Sequence, residues 1–461
     1  MILNMMNRKL IYLIFLSGFL IRFLLYIQRR DLWHDEAALL MNLKEKSFVE
    51  LINEKLEYNQ MAPLFFLILN KVSVILDNDK NNELIIRFFP FLFSLLSFFV
   101  FYFLIKELDD NIGFLLISLI VFLISETLLL YSSEFKHYSL DVFTTCLFLF
   151  IFFKFLKDYS LKYSILFFLS SLILPFFSFT IFFFFPSIIL VSFYHFYKNK
   201  FLKKIYFLIF SSLIFLVFSI FYYKIFLLPY REVKGLIDYW NEFYFNPFKI
   251  SEYVRFLGVF ISIFHGTLGL RIPILVFLFF ISGLLLIYRK DKILFLFFVI
   301  CILTVSSFSF LRIYPFHGRL LLFLVPVLIC IISMNYSIKN FFLKKIFYIA
   351  FFIIFVKTFF YDLKLLLYPH RIEIKKAISI LKRENVKYVY VSGSLVMPFK
   401  IYEKNIKVIE KKQIFDYLKN KERFWLILDN REIREFKEKN FFFVDTFKYF
   451  NVYLCKIKYV L

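Results

Sequence analysis

Residues 10–40, LIYLIFLSGFLIRFLLYIQRRDLWHDEAALL, decide the fold, because a long apolar run passes almost directly into a charged segment. The run at 9–27 has the roughly 20 residues that a membrane-spanning helix needs. It is too long for a signal-peptide core and lacks a small-residue cleavage site, so it predicts a retained first span. Three carboxylates and a histidine follow it at the expected edge of the bilayer: Asp31, Asp35, Glu36 and His34.

The composition indicates a membrane protein. Apolar residues make up 61% of the 461 residues, and 74 are Phe, which is more than a soluble domain of this size can bury. The net charge of +23 suggests nucleic acid at first. The basic residues, however, form short clusters between apolar runs, as in cytoplasmic loops, so we expect no nucleic-acid partner. The cysteines show neither disulfide spacing nor zinc spacing: Cys146, Cys301, Cys330 and Cys455.

The apolar runs predict about eleven spans. The basic clusters between them fall on one side, which the positive-inside rule makes cytoplasmic. The N-terminus is then inside and the C-terminus outside. The predicted spans are 9–27, 86–105, 112–130, 139–156, 163–178, 179–197, 205–228, 271–288, 293–311, 319–336 and 344–361.

The first outer loop, 28–85, contains a shorter apolar run at 61–76. It is interrupted by Asn70 and Lys71, and counting it as a span would put the later lysine clusters outside. It therefore predicts a helix in the outer interface with one face in lipid, and we expect the same of 37–56.

The pattern of apolar and polar residues changes after residue 361, where the long apolar runs end. An amphipathic helix at 372–385 precedes four predicted strands, with further helices near 411–420 and 431–439. The chain thus divides into a transmembrane domain, 1–361, and a small extracytoplasmic α/β domain, 362–461. The predicted strands are 386–393, 423–430, 441–447 and 449–461.

The polar residues at the outer ends of the spans each have a structural explanation. Asp35 could cap a helix, Glu36 could favour its dipole, and Arg87 could reach the lipid headgroups. His34 has no second histidine at metal-ligand spacing. Three more residues could form a salt-bridged loop: Glu134, Lys136 and Asp141. An ionisable group at membrane depth is nevertheless a functional hypothesis, and the set as a whole favours a reaction centre.

Five stretches, in this order, resemble bacterial membrane glycosyltransferases of the GT-C fold, the kin of protein O-mannosyltransferases and the lipid A aminoarabinose transferase. The resemblance covers most of residues 9–336 and does not extend to the C-terminal domain. The stretches are DLWHDEA (31–37), APLFF (62–66), IIRFFPFLFSLL (85–96), YSSEFKHYSLDV (131–142) and HGRLLLFLVP (317–326).

The resemblance implies an enzyme of the bacterial inner membrane. It would transfer a hexose or pentose from a polyprenyl-phosphate donor to a glycan, lipid or protein of the cell envelope, on the extracytoplasmic side. Asp35 matches the acidic residue that acts at the acceptor, and Glu36 matches its companion. The matched or neighbouring candidates for substrate binding are Asp141, Arg87, Arg319, Glu134, Lys136, Tyr138, His34 and Gln60.

One departure concerns the donor phosphate. The family's His or Lys before the interfacial helix is replaced here by Met61-Ala62-Pro63. We expect its role to pass to Lys136, Arg87 or Arg231. No cofactor is indicated, and a divalent metal stays an open alternative.

A single displacement with inversion at the anomeric carbon fits these residues. A carboxylate can take the proton of an attacking hydroxyl, and cations can stabilise the departing phosphate. Two alternatives remain: a polysaccharide polymerase, which would place its arginines in two large outer loops, and a flippase or other transporter of lipid-linked sugars. A transporter would have polar groups distributed through its spans.

Overall fold

The computed structural model describes residues 2–78, 80–158, 160–231, 238–367, 372–414, 424–438, 442–449 and 452–458. By its internal contacts the chain divides into two compact units. The first, here called the membrane unit, comprises Met1–Tyr26, Met61–Leu67 and Phe89–Leu367. The second, here called the α/β unit, comprises Ile27–Gln60, Ile68–Phe88 and Tyr368–Leu461. The predicted domain division at residue 361 stays a prediction.

Apolar α-helices build the membrane unit. Within the described residues, nine are long and apolar enough to span a bilayer, and two shorter ones lie at the remaining predicted spans. The fold class of a polytopic helical membrane protein is therefore confirmed. The nine are Arg8–Ile27, Phe88–Leu108, Tyr138–Lys157, Phe179–Lys198, Leu202–Tyr230, Pro273–Lys290, Lys292–Phe310, Gly318–Ser337 and Phe341–Leu367, and the two shorter ones are Ile112–Ile124 and Leu161–Phe176.

Among the described residues, three further helices with complete bounds connect the spans. Glu126–Tyr131 follows the third predicted span after a break at Ser125, which ends that span at Ile124 rather than at 130. The hydroxyl of Ser125 accepts a hydrogen bond from the amide of Leu128, so the side chain starts a new helix there. The other two are the single turn Asn241–Phe243 and the helix Ile250–Gly266.

Many hydroxyl groups inside the bundle are satisfied locally, as a medium without water favours. Hydroxyls bond back to carbonyl oxygens one turn earlier; the Thr144 hydroxyl, for example, donates to the Leu140 oxygen at 2.7 Å. The helix that begins at Lys292 is capped by Asp291, whose carboxylate accepts from the amides of Ile293 and Leu294 at 2.8 and 3.0 Å. Buried Phe rings, such as Phe101 and Phe122 with centroids 4.7 Å apart, fill the space between helices.

The α/β unit contains a five-stranded sheet with the order β2-β1-β3-β5-β4. β1 is parallel to both β2 and β3, whereas β5 is antiparallel to β3 and β4. Alternate residues of β3 enter separate apolar clusters, Trp425 and Ile427 on one face and Leu426 and Leu428 on the other. The strands are β1 Tyr388–Val391, β2 Lys407–Ile409, β3 Phe424–Asp429, β4 Phe442–Tyr449 and β5 Val452–Lys458.

The helices of this unit come from both parts of the chain. The predicted helix at 37–56 is in fact two helices, because Ser47 caps a second one by accepting from the Glu50 amide at 3.3 Å. The apolar residues of the first, Ala37 to Leu40 and Leu43, are buried inside the protein and do not face lipid as expected. The predicted helix at 411–420 is described only up to residue 414, as the turn Lys411–Gln413. The helices are His34–Glu45, Phe48–Asn53, Leu64–Asp77 (up to Leu67 in the membrane unit), Glu83–Ile86, Ile374–Arg383, Gly393–Tyr402 and Glu432–Glu438.

Gly283 tests the packing of the membrane unit. A Cβ at this position would lie 2.0 Å from the carbonyl oxygen of Ile331, a backbone atom that cannot rotate away. We therefore expect Gly283→Ala to force apart Pro273–Lys290 and Gly318–Ser337. The expected loss is about 1–3 kcal/mol, seen as a lower melting temperature in detergent.

Gly258→Ala is the matched control, because nothing lies within 4 Å of a Cβ there and the position is also helical. Alanine should leave stability unchanged or raise it by up to about 1 kcal/mol. Equal melting temperatures for the two variants would contradict the helix contact.

Candidate functional site

The predicted site residues lie in two groups, one in each unit. Five of them lie in the α/β unit and five in the membrane unit, and each group is described by itself. The first group is His34, Asp35, Glu36, Gln60 and Arg87; the second is Glu134, Lys136, Tyr138, Asp141 and Arg319.

Asp35 lies in the first turn of a helix. The helix begins at His34, and Trp33 occupies the N-cap position, so Asp35 is the second helical residue and not the cap. The capping explanation of Asp35 is therefore wrong. Its side chain is only partly buried, and a carboxylate in the first turn of a helix is stabilised by the helix dipole.

Glu36 and Arg87 form a buried, two-pronged ion pair. The Arg87 Nε donates to Glu36 Oε1 at 2.9 Å and Nη2 donates to Oε2 at 2.7 Å, with side chains 2% and 1% exposed. Arg87 Nη1 also donates to the carbonyl oxygen of Arg30 at 2.7 Å. The amide of Trp33 donates to Glu36 Oε2 at 3.3 Å. Both side chains thus hold the segment before Asp35, and neither points to bulk lipid headgroups.

Gln60 and His34 complete this group. Gln60 is buried and donates from Nε2 to the carbonyl oxygen of Tyr58 at 3.1 Å. Tyr58 and Asn59 have φ values of +58° and +54°, a left-handed conformation that turns the chain toward Met61. The Nδ1 atom of His34 is buried without a hydrogen-bond partner in the described part of the chain.

The ion pair makes a prediction about stability. Removing one partner by Arg87→Met or Glu36→Gln leaves a buried charge without its counter-ion, which typically costs about 3–5 kcal/mol. Thermal unfolding should show this loss in each single variant. The double variant should lose less than the sum of the two.

Glu54→Gln is the control, because Glu54 pairs with Lys46 at 2.5 Å while its side chain is 53% exposed. A solvent-exposed pair contributes below about 1 kcal/mol. Additive single and double losses would show that Glu36 and Arg87 do not stabilise one another.

In the membrane unit, the segment between helices Glu126–Tyr131 and Tyr138–Lys157 buries charged side chains. Glu134, Lys136, His137 and Asp141 are each at most 6% exposed. Ser139 fixes the turn by donating from its hydroxyl to the Tyr131 carbonyl oxygen at 2.7 Å. A salt-bridged surface loop, the structural alternative for this segment, would be exposed, so the burial favours a built site.

His137 and Asp141 lie one helical turn apart. The His137 Nε2 is 3.6 Å from Asp141 Oδ2, and the Ser178 hydroxyl is within hydrogen-bonding reach of the same carboxylate. Burial, with the neighbouring cations Lys136 and Arg319, lowers the pKa of His137 to about 3. The imidazole is therefore neutral at pH 7, and its contact with Asp141 is not an ion pair.

The lowered pKa of His137 predicts how the stability of the folded protein depends on pH. The folded state holds the imidazole neutral, while the unfolded state binds a proton below a pKa of about 6.5. The stabilisation is therefore complete above pH 6.5 and falls by up to about 1.4 kcal/mol per pH unit as pH falls toward 3. In His137→Asn, the melting temperature should therefore fall less between pH 7.5 and pH 4.5 than it does in the wild type.

His265→Asn provides the comparison, because the His265 side chain is exposed whereas that of His137 is buried, although desolvation and the neighbouring Arg271 also lower the pKa of His265. His265→Asn should change the dependence of the melting temperature on pH less than His137→Asn does. An unchanged slope in His137→Asn would contradict a neutral, buried imidazole.

Aromatic residues missed at the sequence level adjoin Arg319. The ring of His317 lies 4.0 Å from that of Phe243 and 5.3 Å from that of Trp240, and the Arg319 guanidinium carbon lies 5.5 Å from the Trp240 ring. Burial and Arg319 lower the pKa of His317 to about 4, so it is neutral as well. The sequence feature that could have pointed to these aromatic residues is Trp240, one of only three Trp residues, in a loop between spans.

Metal-ligand geometry is not apparent among the residues that the structure describes, since no group of three or more His, Cys, Asp or Glu side chains could hold one ion. The side chain of Arg231 lies outside the described residues. Lys136 and Arg319 are thus the described cations around His137 that could meet a phosphate in this unit.

No family model and no curated protein sequence matches this chain. Among solved structures, it is similar to ArnT from Cupriavidus metallidurans in the apo state, with a TM-score of 0.50 and 11% identity over 99% of this chain and 98% of that chain. ArnT bound to undecaprenyl phosphate aligns with a TM-score of 0.48 and 11% identity, over 96% and 97% of the two chains. The likeness spans nearly the whole of both chains, and the protein therefore has the GT-C fold of ArnT, the lipid A aminoarabinose transferase.

Proposed function

We propose that this protein transfers a sugar from a polyprenyl-phosphate donor to an acceptor of the cell envelope, on the extracytoplasmic side of the bacterial inner membrane. The observation that carries the proposal is the burial of Lys136, His137 and Asp141, with the partly buried Arg319 nearby, at the end of an apolar helix bundle. Burying ionisable groups in such a bundle is costly and is usually retained for a function. The GT-C fold supports the same class of reaction.

The donor would be bound through its phosphate and its sugar. Lys136 and Arg319 supply positive charge for a phosphodiester whose negative charge grows as the sugar leaves. The neutral rings of Trp240 and His317 offer flat surfaces on which the C–H face of a sugar ring can pack. The lipid tail can stay in the bilayer throughout, so a nucleotide-binding fold is not needed.

Asp35 is proposed as the general base. The acceptor hydroxyl attacks the anomeric carbon, its proton passes to the Asp35 carboxylate, and the bond from that carbon to the phosphate oxygen breaks. Polyprenyl phosphate leaves with the electron pair, and the anomeric configuration inverts. A positioned base contributes about 10²–10⁴-fold to such a step. Glu36, bound to Arg87, would position Asp35 rather than react itself.

Asp35→Asn tests this proposal. The purified protein in nanodiscs would receive polyprenyl-phosphate sugars labelled in the sugar, with cell-envelope glycolipids as acceptors. Release of polyprenyl phosphate should fall at least about 10²-fold in the variant, at unchanged melting temperature, because an amide cannot accept the proton.

Asp110→Asn is the control, because this carboxylate is exposed and lies between Phe88–Leu108 and Ile112–Ile124, apart from the proposed site. It should keep full activity. Transfer that persists in Asp35→Asn would remove the base, and movement of intact donor across the membrane without any transfer would favour a flippase.

A further inference from the structure

The C-terminal part of the α/β unit reaches the segment just before Asp35. Two carboxylates, Asp31 and Glu83, are 8% and 4% exposed, and both are contacted by side chains from helices Ile374–Arg383 and Gly393–Tyr402. Lys375 and Tyr402 provide these contacts. At least 292 residues of chain separate the partners, so the contact is purely tertiary.

Lys375 meets both carboxylates. Its backbone amide donates to Asp31 Oδ2 at 3.0 Å, its Nζ lies 3.8 Å from Asp31 Oδ1, and its Nζ also forms an ion pair with Glu83. One cation thus neutralises part of the charge of two buried groups. Without it, the two carboxylates would lose a shared counter-ion in a region of low dielectric constant.

Tyr402 holds the next residue of the same segment. Its hydroxyl accepts from the backbone amide of Leu32 at 2.9 Å and donates to Glu83 Oε1 at 2.8 Å. Burial and the charge of Glu83 raise the pKa of the Tyr402 phenol, so the hydroxyl stays protonated and can donate. Leu32 itself is fully buried, and Trp33 packs against the apolar cluster around Ile374 and Phe399.

The loop at 81–83 is fastened to the same helices. Asn81 donates from Nδ2 to the Ile401 carbonyl oxygen at 3.0 Å, and Lys44 donates to Asn81 Oδ1 at 2.7 Å. Lys44 lies in the last turn of the helix that contains Asp35. Both ends of that helix are therefore tied, directly or through one residue, to the C-terminal part of the unit.

We propose that the C-terminal domain is a positioning device for the reaction, in which Lys375 and Tyr402 clamp Asp31 and Leu32 and so fix the direction of the Asp35 carboxylate. The inference rests on the proposed function, in which Asp35 is the base. It assigns the domain a role other than binding the acceptor. Small errors in the geometry of a reacting group, on the order of 1 Å, can lower a rate about 10²-fold, so clamp residues affect turnover without touching substrate.

Tyr402→Phe and Lys375→Met test the clamp, with hydrogen exchange, donor kinetics and thermal unfolding measured for each. Amides 31–36 should exchange at least about tenfold faster, kcat should fall about 10²-fold, and the KM for the donor should stay unchanged. Lys375→Arg, which keeps the positive charge, should restore most of the rate.

Two controls separate positioning from stability. Lys376→Met removes a neighbouring lysine of the same helix, whose side chain is 61% exposed and pairs with Glu373; it should change none of the measurements. Phe399→Ala opens a cavity in the same apolar cluster without removing a clamp hydrogen bond. It should lower the melting temperature by more than Tyr402→Phe does, yet lower kcat by less.

The outcomes distinguish the clamp from the function on which it rests. Unchanged exchange of amides 31–36 in both Tyr402→Phe and Lys375→Met would overturn the clamp, whatever the activity. So would a kcat that follows the melting temperature across all variants, Phe399→Ala included. Faster exchange combined with full activity in Asp35→Asn would keep the contact but refute Asp35 as the base.

Discussion

The buried pair of Glu36 and Arg87 is the interaction on which the rest of the α/β unit depends. Two charges removed from water attract strongly only when their geometry is good, and the fork of hydrogen bonds from Arg87 provides that geometry. Arg87 also donates a hydrogen bond to the Arg30 carbonyl oxygen, so one guanidinium contacts both the start of the helix and the loop before it. The chain leaves the first predicted span and enters the second at these two points. A single ion pair therefore joins residues near the two ends of the intervening loop.

The membrane unit follows a different constraint. Its helices are apolar on nearly every side, so their hydroxyls bond to their own backbones and large Phe rings fill the interior. Arg22 is fully buried inside the first span, but charged groups are most easily held in such a unit where helices end and neighbouring polar groups surround them. The segment from Glu134 to Asp141 is such a place, with neutral His137 lying among two cations and a carboxylate. This imidazole is neutral mainly because it is buried, and the two neighbouring cations add to the effect because a third positive charge there would be unfavourable.

Much of the fold could be predicted from the sequence, because apolar length is a strong and local signal. Each of the predicted spans corresponds to an apolar helix, with ends displaced by a few residues where a side chain such as Ser125 starts a new helix. The amphipathic helix and four of the strands in the C-terminal part were likewise readable from their periodicity. The helix Gly393–Tyr402 and the short strand Lys407–Ile409 were not, since Pro398 and a run of only three residues give weak local signals. The burial of His34–Glu45 was unpredictable for another reason: its partners come from the far end of the chain.

The resemblance to GT-C glycosyltransferases put Asp35 and Glu36 forward together, but the sequence could not show how their side chains differ in orientation. Consecutive helical residues point about 100° apart, so one side chain of an adjacent acidic pair can face the protein while the other faces outward. Glu36 points inward and is fixed by Arg87, while Asp35 keeps a partly exposed carboxylate at the positive end of the helix. In the proposed function, Glu36 is therefore the anchor that Arg87 fixes, and Asp35 is the carboxylate presented to the acceptor. The anchor needs a cation 51 residues away, and the presented group needs the rigidity that this anchor gives.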